Sequence, residues 1–216
     1  MTRQEISDPA LPGLEKALRR EIAPLLSAAL GAASGGAWSL LRAAPVRLRY
    51  RPGKRAIVQY ALTLSGPRGE FVTPAALWFF AGGKAAKIAG KIAAPEAAVA
   101  MPLAAVLEPV TGGLLQVFPH DHRVPQIAAF LNDSRAFASD LFGGSGGAAG
   151  APELARFRPG IGATFRWSAA IGPRVFVKIN PATSPLRARA RLTALHRAAP
   201  HSGFATPRPA GAAAGG

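Results

Sequence analysis

The chain has 216 residues and is 49% apolar, enough to bury a real core in one large or two small domains. Alanine inflates that share and only 7% is aromatic, so bulky core must come from a few Leu, Ile, Val and Phe clusters. Twenty-six Lys and Arg against eleven Asp and Glu give a net charge of +15, which favours anionic partners, and the lack of cysteine excludes disulfides and thiolate sites. The bases are spread along the chain, so the charge alone names no partner. No window approaches the roughly 18 uninterrupted apolar residues of a membrane span, and the polar start MTRQEISDPALPGLEK has no signal-peptide apolar run. A soluble, cytoplasmic protein is the expectation.

In chain order, Asp8-Pro9 followed by Leu14, Leu18, Ile22, Leu25 and Leu26 predicts one capped amphipathic helix, bent near Pro24 and ending at Gly31. AASGGAW reads as a loop, and Val46 to Tyr50 alternates as a half-buried strand. Arg-Pro-Gly-Lys-Arg turns the chain into a second strand, Ala56 to Leu64, because Pro52 presets φ and Gly53 permits a positive one. The turn Gly66 to Gly69 leads to a third strand ending at Ala76 to Phe80. KAAKIAGKIAA then predicts a short helix with Lys84, Lys87 and Lys91 on one face. Met101 to Val110 and Leu114 to Phe118, around Thr111-Gly112-Gly113, form a further hairpin, and two short helices are expected near 125–131 and 134–142. GGSGGAAGAP, residues 143–152, reads as a flexible linker.

Beyond the linker the pattern of the first half returns. Phe157-Arg-Pro-Gly160 repeats Tyr50-Arg-Pro-Gly53, and Ala163-Thr-Phe-Arg-Trp167 matches Ala56-Ile-Val-Gln-Tyr60; both pairs are offset by 107 residues (157 − 50 and 163 − 56). After Gly172-Pro173 comes Arg174-Val-Phe-Val-Lys-Ile179, an alternating strand with one lysine. Ser184-Pro185 starts a helix with Leu186, Leu192 and Leu195 on one side and Arg187, Arg191 and Arg197 elsewhere; the tail 210–216 is expected to be disordered. The organisation read from this is an N-terminal helical segment 1–35, a first repeat 36–142, the linker 143–152, a second repeat 153–209 and the tail. The fold class is α+β: duplicated antiparallel hairpins and three-stranded units, each followed by a helix.

Hairpin, turn, a strand with a single lysine, then a helix is an order that suits phosphate binding, because a hairpin can fold over phosphates that a lysine on the third strand contacts. With Tyr50-Arg-Pro-Gly-Lys-Arg55, Val117-Phe-Pro-His-Asp-His-Arg123, Phe157-Arg-Pro-Gly160, Val175-Phe-Val-Lys178 and Phe204-Ala-Thr-Pro-Arg-Pro209 in this order, the chain resembles the aminoglycoside phosphotransferase family of kinase-like enzymes over residues 46–209. The resemblance implies a nucleotide-binding lobe with ATP and Mg²⁺ as cofactors, Lys178 on the α- and β-phosphates, and the second hairpin, with Arg158, Gly160 and Gly162, as the phosphate cover. It also implies a small-molecule acceptor and a second lobe bearing an Asp base, an Asn and a metal-binding Asp after the lysine. No Asp or Glu follows Glu153, so those roles have no position to receive them. A reading frame that stops early, a partner lobe elsewhere and a degenerate copy all stay open. The first repeat has no charge where Lys178 would fall, within Ala76 to Phe80, and reads as structural.

Other motifs offer less. Pro119-His120-Asp121-His122 reads as a turn, since adjacent residues cannot all face one metal. His196 and His201 have no neighbouring carboxylate, the serines have no nucleophile-elbow context, and Gly143 to Gly147 reads as linker and lacks the Lys of a phosphate loop. The leading expectation is the nucleotide-binding region of a kinase-like phosphotransferase, without turnover unaided. The alternative is a basic module for nucleic acid or another polyanion, its field supplied by Arg49, Arg51, Lys54, Arg55, Lys84, Lys87, Lys91, Arg187 and Arg191. A structural or regulatory lobe is the third.

Overall fold

The computed structural model describes residues 6–19, 21–67, 69–89, 106–108, 112–134, 150–168 and 174–181, with positions 92, 137, 190, 193, 194 and 197. It is mixed α+β and divides into two compact units, Met1–Ala128 and Ala129–Gly216. Among the described residues no helix is long and apolar enough to cross a membrane.

The first unit is a five-stranded antiparallel sheet in the order β1-β2-β3-β5-β4. Three long strands, β1 (Ser39–Arg51), β2 (Arg55–Gly66) and β3 (Gly69–Phe80), form a meander, and β4 (Val106–Glu108) and β5 (Gly113–Val117) add the expected second hairpin. Strand β1 starts well before Val46 because two bulges, at Leu40/Arg42 and Pro45/Arg47, let an edge strand absorb Pro45, which has no N–H to give a ladder. One sheet face packs on two helices, α1 (Leu14–Ala17) and α2 (Ile22–Ala33). Leu14, Ala17, Ile22, Leu26 and Leu30 meet Val58, Tyr60, Leu62, Leu64, Leu77 and Phe79 in a continuous buried cluster. The helical segment is therefore part of the first core.

That segment corrects the expected single bent helix. The chain is not helical through Leu18 and Arg19, and α2 restarts at Ile22. Pro24 falls in the first turn of α2, where its missing N–H has no intrahelical acceptor to lose, so it opens a helix and does not bend one. Gly31 does not stop it either. The N–H of Gly36 reaches the Gly31 carbonyl at 2.8 Å and that of Gly35 reaches Ala32 at 3.4 Å, with Gly35 at φ 57°: a Schellman end four residues later. Nor does Asp8 cap a helix. Its Oδ1 accepts the Ala10 N–H at 2.9 Å, and its Oδ2 accepts both the Tyr50 hydroxyl and the Gly53 N–H at 2.8 Å.

The second sheet face of this unit has its own cover. After β3 a short 3-10 turn at Ala81–Gly83 leads to α3 (Lys84–Ala89), and Ala85 packs with Ile57, Ala76, Trp78 and Leu114. Lys84 and Lys87 are exposed and Lys91 lies outside the described residues. Strand β3 is consequently buried on both sides from Ala75 to Phe79.

The second unit holds a three-stranded antiparallel meander, β6 (Glu153–Arg158), β7 (Gly162–Ser168) and β8 (Arg174–Ile179). Phe157, Ala163, Phe165 and Trp167 form its buried side, and Phe130 of α4 (Gln126–Asn132) packs 5.0 Å from Phe165 and 5.8 Å from Trp167. The indole Nε1 of Trp167 donates to the Gly150 carbonyl at 3.0 Å. The expected helices at 134–142 and after Ser184, most of the glycine linker and the tail lie outside the described residues.

Candidate functional site

The two Arg-Pro-Gly hairpins share one local geometry. Each closes three residues between register partners, Arg51 with Arg55 and Arg158 with Gly162, and pairing continues as Tyr50 with Ala56 and Phe157 with Ala163. In each the residue after glycine donates back to the arginine carbonyl, Lys54 to Arg51 at 3.0 Å and Ile161 to Arg158 at 2.9 Å. Gly53 and Gly160 have φ 64° and 67°, the positive value a type II turn demands at its third residue. Proline before glycine fixes this turn in both copies.

The register also aligns the third strands. Ala56 pairs with Phe79 and Ala163 with Ile179; one step along, Ile57 pairs with Trp78 and Thr164 with Lys178. Trp78 thus stands in the first sheet where Lys178 stands in the second, and Ala76 where Phe176 stands. Their surroundings are opposite. Trp78 is 1% exposed beneath α3, whereas Lys178 is exposed and Phe176 is 62% exposed.

Register partners share a sheet face, so the open face of the second sheet can be read rung by rung. One rung is Glu153, Arg166 and Phe176; the next is Arg156, Thr164 and Lys178; Ser168 and Arg174 lie beyond Phe176. Arg156, Arg166, Arg174 and Lys178 are exposed. Glu153 takes an ion pair and hydrogen bonds from Arg166, which hold its carboxyl below the usual range. Arg156 and Lys178 make no ion pair among the described residues, and they flank the Thr164 hydroxyl across two strand spacings, about 10 Å.

Of the residues the resemblance singles out, Lys178 is on this face. Arg158 is half-buried at the hairpin turn with its Nε lacking a partner among the described residues. Pro159 and Gly160 are buried, unlike the exposed Pro52 and Gly53. Gly162 has a structural reason to be glycine: at φ 145° an added Cβ would lie 2.0 Å from the Ile179 carbonyl oxygen. Phe176 and Arg156 are the residues that sequence reasoning missed. Alternation within Arg174 to Ile179 already placed Phe176 beside Lys178, but an apolar residue in a strand is ordinarily assigned to the core.

Segment 117–124 turns twice, as its sequence suggests: the His120 N–H donates to the Val117 carbonyl and the Val124 N–H to the Asp121 carbonyl, both at 3.0 Å, with a cis bond at Phe118-Pro119. Asp121 Oδ1 accepts the Arg123 N–H at 2.9 Å, and His122 Nδ1 lies 2.7 Å from Gln116 Oε1. Burial lowers the affinity of His120 and His122 for a proton; for His122 the Arg123 charge adds to this and Asp121 opposes it. Among the described residues no three His, Cys, Asp or Glu side chains gather as a metal site. The chain matches no family model, and no curated protein or solved structure matches it significantly.

Proposed function

We propose that the second unit is the nucleotide-binding half of a kinase-like small-molecule phosphotransferase of the aminoglycoside phosphotransferase type. The observation that carries this reading is the contrast at one register position. Lys178 stands on an open antiparallel face, two residues from exposed Phe176, whereas Trp78 fills the same position in the first sheet. A lysine and an arginine on one rung supply charge for ATP phosphates, and Phe176 supplies a flat apolar surface for a base. In the first unit α3 covers the equivalent positions, Ala76 and Trp78.

The described carboxylates of the second unit do not fit a Mg²⁺ site. Glu153 is committed to Arg166, and among the described residues no three His, Cys, Asp or Glu side chains gather, so neither a metal-assisted step nor a base for the acceptor hydroxyl is assigned to them. Nucleotide binding without turnover is the expected behaviour. Calorimetric titration with ATP tests it: Lys178→Ala should weaken binding at least tenfold with unchanged thermal stability. Equal affinity in the two proteins would reduce Lys178 to a surface charge.

A second reading draws on the same face. Exposed Phe176 among Arg166, Arg174 and Lys178 joins an aromatic platform to a cationic track, the combination that holds single-stranded nucleic acid. It requires affinity for an oligonucleotide that falls with salt at a log-log slope near −0.7 per phosphate contacted, and loss of affinity in Phe176→Ala. A flat salt response would remove it.

A further inference from the structure

We propose that the first unit carries an anion site of its own, in which Arg51, Arg55 and Arg123 grip a phosphoryl group beside the ring of Phe80. The two strand arginines are placed by the turn. Arg51 and Arg55 are register partners at the mouth of the first hairpin, so their side chains leave the same face as neighbours. Phe80 is the partner of Arg55 on β3 and belongs to that face too. The Lys54 carbonyl accepts the Ala81 N–H at 3.1 Å, which clamps the end of β3 to the hairpin turn.

Arg123 arrives from the other direction. His122 packs edge-on to Trp78 at 4.6 Å and to Phe80 at 6.2 Å, and its Nδ1 meets Gln116 on β5. Those contacts fix the 120–123 turn over this end of the sheet, while Asp121 holds the Arg123 backbone amide. Arg123 follows directly in the chain, at the end of the sheet where Arg55 and Phe80 pair. Their proximity registers in Arg55, whose guanidinium is weakened as an acceptor of its proton by burial first and then by the charges of Arg51 and Arg123.

Like charges facing one another across an antiparallel pair are unfavourable, and three guanidiniums in one place are more so. Elsewhere the chain offsets such a charge, as Glu153 does for Arg166. Here no carboxylate pairs with any of the three among the described residues, and exposed Lys54 adds to the field. Guanidinium forks suit a phosphoryl group, which accepts several paired N–H donors at once. The buried Nε1 of Trp78, which lacks a partner among the described residues, belongs to the same aromatic set. This site lies in the first unit, and it stands whether or not Lys178 binds nucleotide.

The probe is inorganic pyrophosphate, titrated calorimetrically at constant ionic strength into the full chain carrying Lys178→Ala, which silences the other candidate site. Arg51→Gln and Arg123→Gln, both at exposed positions, should each weaken binding about tenfold, and Arg55→Gln further. Arg42→Gln and Arg47→Gln, exposed arginines elsewhere on β1, should leave affinity within twofold. Pyrophosphate should also raise the melting temperature of the Lys178→Ala chain and not that of the same chain carrying Arg51→Gln and Arg123→Gln as well, which keeps the test informative if Arg55→Gln does not fold. Tighter binding of ATP than of pyrophosphate would identify a nucleotide as the source of the phosphoryl group, and equal binding a free polyphosphate. Equal loss in the Arg42 and Arg47 controls, or no loss in the Arg51 and Arg123 variants, would overturn the site.

Discussion

Replacing Gly162 by alanine separates a glycine kept for a ligand from one kept for a strand crossing. The new methyl would stand 2.0 Å from the Ile179 carbonyl oxygen, about 1 Å inside the shortest tolerable approach, and that oxygen belongs to backbone that cannot rotate away. Residue 162 would also be held at φ 145°, a region costing an L-residue on the order of 1–3 kcal/mol. Moving β8 clear loosens the closing rung between Ala163 and Ile179, at about 1 kcal/mol for a lost hydrogen bond. Together the loss is roughly 3 kcal/mol in the second unit. Gly53→Ala makes the comparison: its φ is 64° and nothing lies within 4 Å, so it should cost about 1–2 kcal/mol. Native-state hydrogen exchange reads both, and amides of Phe165 and Val177 should lose about two orders of magnitude of protection in Gly162→Ala, at 1.4 kcal/mol per tenfold. Protection within threefold of the parent chain would refute the close-approach argument and leave ligand contact as the reason for the glycine.

Three more outcomes follow from the first unit. Tyr60→Phe removes the buried hydroxyl that donates to the Ala17 carbonyl and should lower stability by about 1–3 kcal/mol, seen as a lower urea midpoint with an unchanged slope. Asp8 is held below its ordinary 3.8 first by the Gly53 N–H and then by the Tyr50 hydroxyl; a depressed carboxylate stabilises fully above its unfolded value and loses that contribution as pH falls through the folded one. Urea midpoints should therefore drop below about pH 4 in the parent chain and flatten in Asp8→Asn, and identical acid profiles would refute it. Trp78→Lys puts a charge among Ile57, Ala76, Ala85 and Leu114 and should cost roughly 3 kcal/mol or more, whereas Lys178→Trp should change stability by less than about 1 kcal/mol. Similar urea midpoints for this exchanged pair would show that the two faces are not opposite in character.

The parts of this fold legible in the sequence are those decided by neighbours along the chain. Arg-Pro-Gly between apolar runs fixes a hairpin because the turn conformation is a property of proline followed by glycine, and both hairpins formed where that tripeptide stands. Alternation in Val175 to Lys178 fixed which residues share a face. The N-terminal helices were misread where a residue has two local uses. Pro24 suits a first turn as well as a kink, Gly31 sits inside a helix that Gly35 ends, and Asp8 found its partners 42 and 45 residues away. The placing of the His122 turn over one end of the sheet was illegible for the same reason, since the packing of His122 on Trp78 and Phe80 is a tertiary contact. The difference between the two sheets was only half visible. The missing charge in Ala76 to Phe80 was plain, but that Trp78 takes the vacant position required the register.

The carboxylate of Asp8 also bears on the order in which the first unit assembles. A hairpin closed by three residues forms with little loss of chain entropy, whereas the contact from residue 8 to residue 53 encloses forty-odd residues, including both helices. Closing so long a loop makes the latch a costlier and later contact than the hairpin turn it completes. Because Phe157 replaces Tyr50 in the second copy, a hydroxyl latch of this kind has no counterpart there. One Arg-Pro-Gly turn is thus an early event of its hairpin that is finished late, by a distant residue, while its twin must be completed by other means.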